Sequence, residues 1–353
     1  MKIKELGSEE IRSVDWCFEN DCIQLIDQRL IPFEYKINKY SKVEEICQAI
    51  KTMVVRGAPA IGATGAYGIA LAVKEIEKLP DEQKKSELDK RRDLLLATRP
   101  TAVDLANFVN ETYTIAVEGN FSFDETLLLA RRLTKEMLEE CKKIGEKGLE
   151  IIKEGDTLLT HCNAGPLATV DYGTALAPII KAHRNGVNLK VYVDETRPRL
   201  QGAKITAWEL EQEGIDHEII ADSVAAYLMS QNQIDKVILG ADRCLQDGTI
   251  SNKIGTYSLA VNANHHKVPF YSSFPWSTID QESMTLEDFK IELRSEEEVK
   301  IVKGLKGEVK IANPSSKAFN PAFDITPPSL ITGYITSIGV LSTEELVKKI
   351  KEK

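Results

Sequence analysis

Apolar and polar positions along the chain follow two rhythms, and the change comes near Gly155. Before it, apolar residues recur mostly at helical spacing. Val43, Ile46, Cys47 and Ile50 fall three and four apart, the stripe of one helix face. Ser41-Lys42-Val43-Glu44 reads as the capping box of that helix. Further helices are predicted over about 60–78, 82–97, 102–117 and 124–153, with Thr101-Ala102-Val103-Asp104 capping the one that starts at 102. Two β-like runs, VDWCF and IQLID, come earlier and flank Glu19-Asn20-Asp21, which is a hairpin signal.

After Gly155 short apolar runs alternate with helical segments. The runs are TLLTH (157–161), LKVYV (189–193), HEII (217–220), KVIL (236–239) and VPFYS (268–272). Helix candidates lie between them near 172–185, 200–213, 223–231 and 254–265. Continuous apolar strands alternating with helices predict a parallel, doubly wound sheet. The stretch 281–310 alternates acidic and basic residues and reads as a surface excursion, and Ser342-Thr343-Glu344-Glu345 caps a last helix. The expected architecture is α/β: residues 1–150 as a small domain of short strands and a helical bundle, and residues 151–353 as a Rossmann-like domain.

In an open parallel sheet, ligands bind beyond the carboxyl ends of the strands. Cys162-Asn163-Ala164-Gly165 follows the first strand and Asp194-Glu195-Thr196-Arg197 the second. Asp222-Ser223 follows the third, Gly240-Ala241-Asp242-Arg243 the fourth and Ser273-Phe274-Pro275-Trp276 the fifth. Cys162 and Asp242 stand out, because two proton-exchanging groups at one sheet edge suit general acid–base chemistry. Taken singly, each has a plainer reading, the thiol as a small buried hydrophobe and the carboxylate as a turn or cap residue. His161 precedes Cys162, so the two side chains face opposite sides of a strand and do not form a nucleophile pair or a metal site.

Donors for an anion recur. Arg56-Gly57-Ala58-Pro59-Ala60 puts a guanidinium before a small-residue turn that opens a helix, where backbone N–H groups favour phosphate. Arg99-Pro100-Thr101 repeats the arrangement, and Asn252-Lys253 adds further donors ten residues after Asp242. Gly62-Ala63-Thr64-Gly65-Ala66-Tyr67-Gly68 is not a dinucleotide fingerprint; its small residues three apart predict close approach of a neighbouring helix.

The chain has 353 residues and a net charge of −9, which argues against a nucleic-acid footprint or an anionic membrane surface but not against a small anion. The start, MKIKELGSEEIR, has no apolar core, and the longest uncharged stretch, Gly57 to Val73, is short for a membrane span. Six scattered cysteines match no zinc framework and fit a reducing cytoplasm.

Several long segments together resemble one family, the methylthioribose-1-phosphate isomerases of methionine salvage. They are LIDQRLIP, VVRGAPAIG, ATRPTAVDL, LLTHCNAGPLAT, VYVDETRPRLQGAKITAWEL, GADRCLQDGTISNKIGT, PFYSSFPWSTID and NPAFDITPPSLITGYITSIGV. The wider family also holds ribose-1,5-bisphosphate isomerases and regulatory subunits of a translation-initiation exchange factor. The resemblance implies catalytic roles for Cys162 and Asp242, the latter as proton donor. It implies phosphate and sugar contacts from Arg56, Gly57, Ala58, Arg99, Gln201, Asn252 and Lys253. It also implies a homodimer acting on a sugar phosphate with no metal or organic cofactor. Pro166 departs from the small residue expected after Asn-Ala-Gly. An acid working at neutral pH needs burial against apolar walls, and that is expected of Asp242.

Overall fold

The computed structural model describes residues 11–100, 102–280 and 291–352. The chain divides into two compact units. The first holds the N-terminal part through Lys142 together with Gly165–Gly173; the second holds Lys143–Ala164 and the chain from Thr174 on.

In the first unit, β1 (Val14–Cys17), β2 (Cys22–Ile26) and β3 (Ile37–Tyr40) form an antiparallel sheet in that order. The predicted hairpin is β1–β2, with Val14 opposite Leu25 and Cys17 opposite Cys22. Strand β3 escaped the sequence reading because INKY has no apolar run and is held by pairing with β2. Five helices follow: α1 (Val43–Lys51), α2 (Ala58–Ile76), α3 (Asp81–Leu96), α4 (Val103–Glu118) and α5 (Phe123–Gly148), the last in this unit as far as Lys142. The box before α1 sits one residue later than expected: Glu45, not Glu44, accepts from the amides of Ser41 and Lys42. Thr101 lies outside the described residues, as do the first ten and 281–290.

Helix α2 is buried almost all round, which explains its long uncharged run. Two of its glycines, Gly62 and Gly65, make the contact with α4. A Cβ on Gly65 would stand 2.6 Å from Leu105 Cδ1 and 2.7 Å from Val109 Cγ2, and one on Gly62 would stand 3.0 Å from the Asp104 carbonyl oxygen. The expected close helix approach is what these glycines provide.

In the second unit, β4 (Thr157–Thr160), α6 (Leu176–Arg184), β5 (Lys190–Asp194), α7 (Ala207–Glu213), β6 (Asp216–Ile220), α8 (Val224–Ser230) and β7 (Lys236–Gly240) realise the predicted alternation. Then come β8 (Arg243–Cys244), β9 (Ile250–Lys253), α9 (Thr256–His266) and β10 (Phe270–Ser273). The chain ends through α10 (Glu297–Lys300), β11 (Ile301–Gly304), β12 (Gly307–Lys310), β13 (Phe323–Thr326), β14 (Gly333–Thr336), β15 (Gly339–Leu341) and α11 (Thr343–Lys351). The main sheet runs β15–β14–β10–β7–β4–β5–β6, parallel except for β15 at one edge. Counting only its parallel strands in chain order, this is 3-2-1-4-5-6, the doubly wound order of a Rossmann-type domain. Ser342 caps α11 as predicted, accepting from Glu345 N while Glu345 accepts from Ser342 N. Part of the expected excursion, 301–310, is the exposed hairpin β11–β12. No helix of the described residues is long and apolar enough to cross a membrane.

Candidate active site

The order of the sheet reverses between β4 and β7, which lie side by side and lead to β5 on one flank and β10 on the other. A doubly wound sheet opens its ligand crevice at such a reversal. Cys162 comes two residues after β4 and Asp242 two residues after β7, so the two residues singled out from the sequence straddle that point. Gly240 makes the approach close. A Cβ there would stand 2.7 Å from Ala164 Cβ, so the turn after β4 lies against the end of β7.

Cys162 is buried and its backbone is left-handed, φ 62°, a conformation that costs a non-glycine residue roughly 1–3 kcal/mol. Two threonine hydroxyls hold it there. Its amide donates to Thr196 Oγ1 at 2.8 Å, and Thr196 Oγ1 in turn donates to the Asp194 carbonyl at 3.0 Å. Its carbonyl accepts from Thr206 Oγ1 at 2.6 Å. Thr206 also accepts from Asn163 Nδ2 at 3.0 Å, and the same amide nitrogen donates to Glu209 Oε2 at 2.5 Å. Each hydroxyl thus donates once and accepts once. Thr206 sits where it does because 202–206 is a turn of π-helix running into α7, wider than the α-helix expected from 200. Gly202 opens that turn against the end of β5, where a Cβ would come within 1.8 Å of the Asp194 carbonyl oxygen.

The loop after β5 is tied to the next strand end. Asp222 accepts from the amides of Thr196 at 2.7 Å and Arg197 at 2.8 Å. His161 is buried beneath Cys162, with Nδ1 2.9 Å from Asp194 Oδ2 and Nε2 3.0 Å from the Ile254 carbonyl oxygen. Burial opposes charging the ring, but the hydrogen bond and charge of Asp194 outweigh it and raise the His161 pKa. Oxygen and nitrogen atoms of His161, Asp194 and Asp222 lie within 4.8 Å of one another. Because both ring nitrogens already face acceptors, the imidazole has no lone pair directed at a cation.

Asp242 donates its amide to the Ser251 carbonyl at 3.0 Å, which sets it beside β9, the strand carrying Asn252 and Lys253. Its side chain is exposed, which corrects the expected burial against apolar walls: the residue follows a strand end onto the rim of the crevice. Asn252 and Lys253 are buried. Asn252 Nδ2 donates to Thr256 Oγ1 at 3.0 Å; Lys253 Nζ donates to the Ala322 carbonyl at 2.9 Å and stands 4.2 Å from the centre of the Phe323 ring. Gln201 is buried as well, and its Oε1 has no hydrogen-bond partner among the described residues.

The other four predicted contacts belong to the first unit. Gly57 has φ 95°, and a Cβ on it would stand 2.2 Å from the Ala168 carbonyl oxygen, so this turn requires glycine. It is the N-cap of α2, and Ala60 N donates to the same carbonyl at 3.2 Å. Arg56 and Ala58 flank it, half-buried, and Arg99 is half-buried in the loop between α3 and α4. Thr196, Thr206 and Glu209 were missed by sequence reasoning. Thr196 lay in a stretch already marked as a strand end, whereas nothing local signals the π-turn that aims Thr206.

Comparison with known proteins adds a second line. The family model described as "Initiation factor 2 subunit family" matches residues 54–343. A protein of Methanocaldococcus jannaschii named putative methylthioribose-1-phosphate isomerase is 47% identical over 345 residues, 97% of this chain and 99% of its own. A methylthioribose-1-phosphate isomerase of Acetivibrio thermocellus is 44% identical, covering 97% of this chain and 100% of its own. The solved 5-methylthioribose 1-phosphate isomerase of Pyrococcus horikoshii superimposes with a TM-score of 0.87 at 40% identity, covering 100% of this chain and 99% of its own. A structure from A. fulgidus described as translation initiation factor eIF-2B, subunit delta, gives 0.84 at 41% identity, covering 96% of this chain and 100% of its own.

Proposed function

The chain belongs to the initiation factor 2 subunit family, and from that premise we propose that it is an isomerase converting 5-methylthioribose 1-phosphate to 5-methylthioribulose 1-phosphate. The observation that carries the reading is the placement of Cys162 and Asp242 on either side of the sheet's reversal. The names of the relatives supply the substrate class.

The substrate's anomeric oxygen carries phosphate, so its ring cannot open to a free aldehyde. In our reading the Asp242 carboxyl gives its proton to the ring oxygen as the bond from that oxygen to C1 breaks. C1 is left electron-poor, and the hydrogen on C2 must reach it. Along one route the Cys162 thiolate takes that hydrogen as a proton, the C2–H electrons form the C1–C2 double bond of a phosphoenol, and the thiol returns a proton to C1. The Asp242 carboxylate then takes the proton of the C2 hydroxyl, which becomes the ketone and restores the acid. Along the other, the C2 hydrogen moves to C1 as hydride while the C2 hydroxyl loses its proton. A substrate deuterated at C2 separates them, since only the first route lets deuterium exchange with water. Asp242 is exposed on the rim, so shielding of its carboxyl from water has to come with the bound sugar.

Arg56, Arg99, Gln201, Asn252, Lys253 and the backbone at Gly57 and Ala58 are our candidates for holding phosphate and sugar. Binding energy gathered there positions the reacting carbons. Reaction in the cytoplasm as a homodimer within methionine salvage completes the proposal. The A. fulgidus relative favours a second reading, a non-catalytic regulatory or nucleotide-sensing protein. Retention of Cys162 and Asp242 at the reversal weighs for catalysis.

Turnover on 5-methylthioribose 1-phosphate, 5-deoxyribose 1-phosphate, ribose 1,5-bisphosphate and unphosphorylated methylthioribose tests this. We expect the first to be isomerised fastest and the last not at all. Faster turnover of the bisphosphate would move the assignment to that substrate, and no turnover on any would leave the regulatory reading.

A further inference from the structure

His161 links two segments of the proposed site, meeting the Asp194 side chain on one side and the Ile254 backbone on the other. A carbonyl oxygen only accepts, so the 3.0 Å contact to Ile254 requires a hydrogen on Nε2. Nδ1 meets a carboxylate at 2.9 Å. The charged groups facing the ring are Asp194 at the end of β5, Asp222 before α8 and Asp324 on β13. The nearby cation is Lys253, which acts with His161 on Asp324. Burial pushes the pKa values of Asp194 and Asp324 up while the imidazole pulls both down, and the bond and charge of Asp194 raise that of the ring. Gly255 leaves room for the ring: a Cβ there would stand 2.9 Å from His161 Cε1.

The bonds form a continuous chain. The amide of Cys162 reaches Thr196 Oγ1, which reaches the Asp194 carbonyl. The Asp194 carboxylate holds His161, and His161 holds the carbonyl of Ile254, the residue after Lys253. Ile254 N and Lys253 Nζ both donate to the Ala322 carbonyl. Moving the imidazole therefore moves the thiol turn relative to the Asn252–Lys253 segment.

We propose that His161 is a positioning residue, a buried imidazolium clamp that fixes the Cys162 turn against the Asn252–Lys253 strand. Its consequence for turnover rests on the isomerase reading; its charge state does not.

The charge state is tested on the wild-type protein with ¹⁵N-labelled histidine. At pH 7 His161 should show both ring nitrogens protonated. His161→Gln identifies the signal by its loss. Should that variant fail to fold, sequential assignment in the wild-type protein identifies the signal instead, and an unprotonated ring nitrogen on His161 at pH 7 overturns the clamp. In steady-state assays we expect His161→Gln to lower kcat/KM roughly 10- to 100-fold, with kcat down and KM for the sugar phosphate up, because misplacing reacting groups by about 1 Å costs on the order of 10²-fold. A folded variant with unchanged kcat and KM would overturn the proposal. Wild-type protein inactive on every sugar phosphate would sink the isomerase reading instead, with the nitrogen spectra still deciding the clamp.

Discussion

The contact of α2 with α4 and the cluster at the strand ends are both buried and tightly packed, but by different means. In the first, glycines clear space and the neighbours of Gly65 are apolar side-chain tips, so fit there is a matter of volume. In the second, His161, Asn163, Asp194, Thr196, Thr206 and Glu209 are buried together, and fit is a matter of matching donors to acceptors. A volume fit yields gradually, because a side-chain tip can shift. A donor–acceptor fit fails at once, because an unpaired buried group costs about 1–3 kcal/mol and has no alternative partner.

Substitutions break the comparison at either end. The largest effect on stability is expected from Gly202→Ala, which drives a Cβ into the backbone carbonyl of Asp194 at 1.8 Å. Backbone cannot step aside as a side chain does, so we expect a loss of about 3 kcal/mol or more in chemical denaturation. Gly65→Ala makes a smaller overlap, at 2.6 Å, and with Leu105 and Val109 side-chain tips, and should cost less, about 1–2 kcal/mol. Equal losses for the two would remove the distinction.

The smallest effect is one of pH. Asp27, in the first unit, is buried, which alone would raise its pKa; hydrogen bonds and charge from Arg29, with Asn38, outweigh that and hold it below the ordinary value. The stability it contributes is present above about 3.9 and is lost as pH falls through the lowered folded value. For His161, in the second unit, the folded pKa is raised. Its contribution is fully present below about 6.5 and is lost as pH rises through that folded value. Denaturation of Asp27→Asn should therefore converge on wild type in acid, and that of His161→Gln in alkali. Convergence at the same end would contradict these assignments.

The strand–helix alternation after Gly155 was legible because five of the six parallel strands lie on short apolar runs with turn signals; the sixth, β14, GYIT, was not read. The helical stretch before it was legible for a parallel reason, the 3.6-residue period. What escaped is held by partners distant in sequence. Strands β8, β9 and β13 form a small sheet from RC, ISNK and FDIT, none of which is an apolar run. Of the candidate site, the positions of Cys162 and Asp242 just past β4 and β7 were readable, since each apolar run marks where its strand ends. The exposure of Asp242 was not readable, because it depends on how the chain leaves β7 for β8. His161 was set aside as a partner for Cys162 on strand alternation, but β4 ends at Thr160 and Cys162 is left-handed, so alternation does not reach this pair; the bond of His161 to Ile254 spans 93 positions and leaves no local trace.

The central claim is that the thiol at 162 and the carboxyl at 242 act on one substrate across the sheet's reversal. Turnover of Cys162→Ser, Asp242→Asn and the double variant on 5-methylthioribose 1-phosphate tests it most directly. Groups that act as a unit are strongly non-additive, so each single variant should lose about 10²-fold or more while keeping its fold, and the double should be scarcely worse than the poorer single. Near-normal turnover in either single variant, or losses that multiply in the double, would contradict the claim.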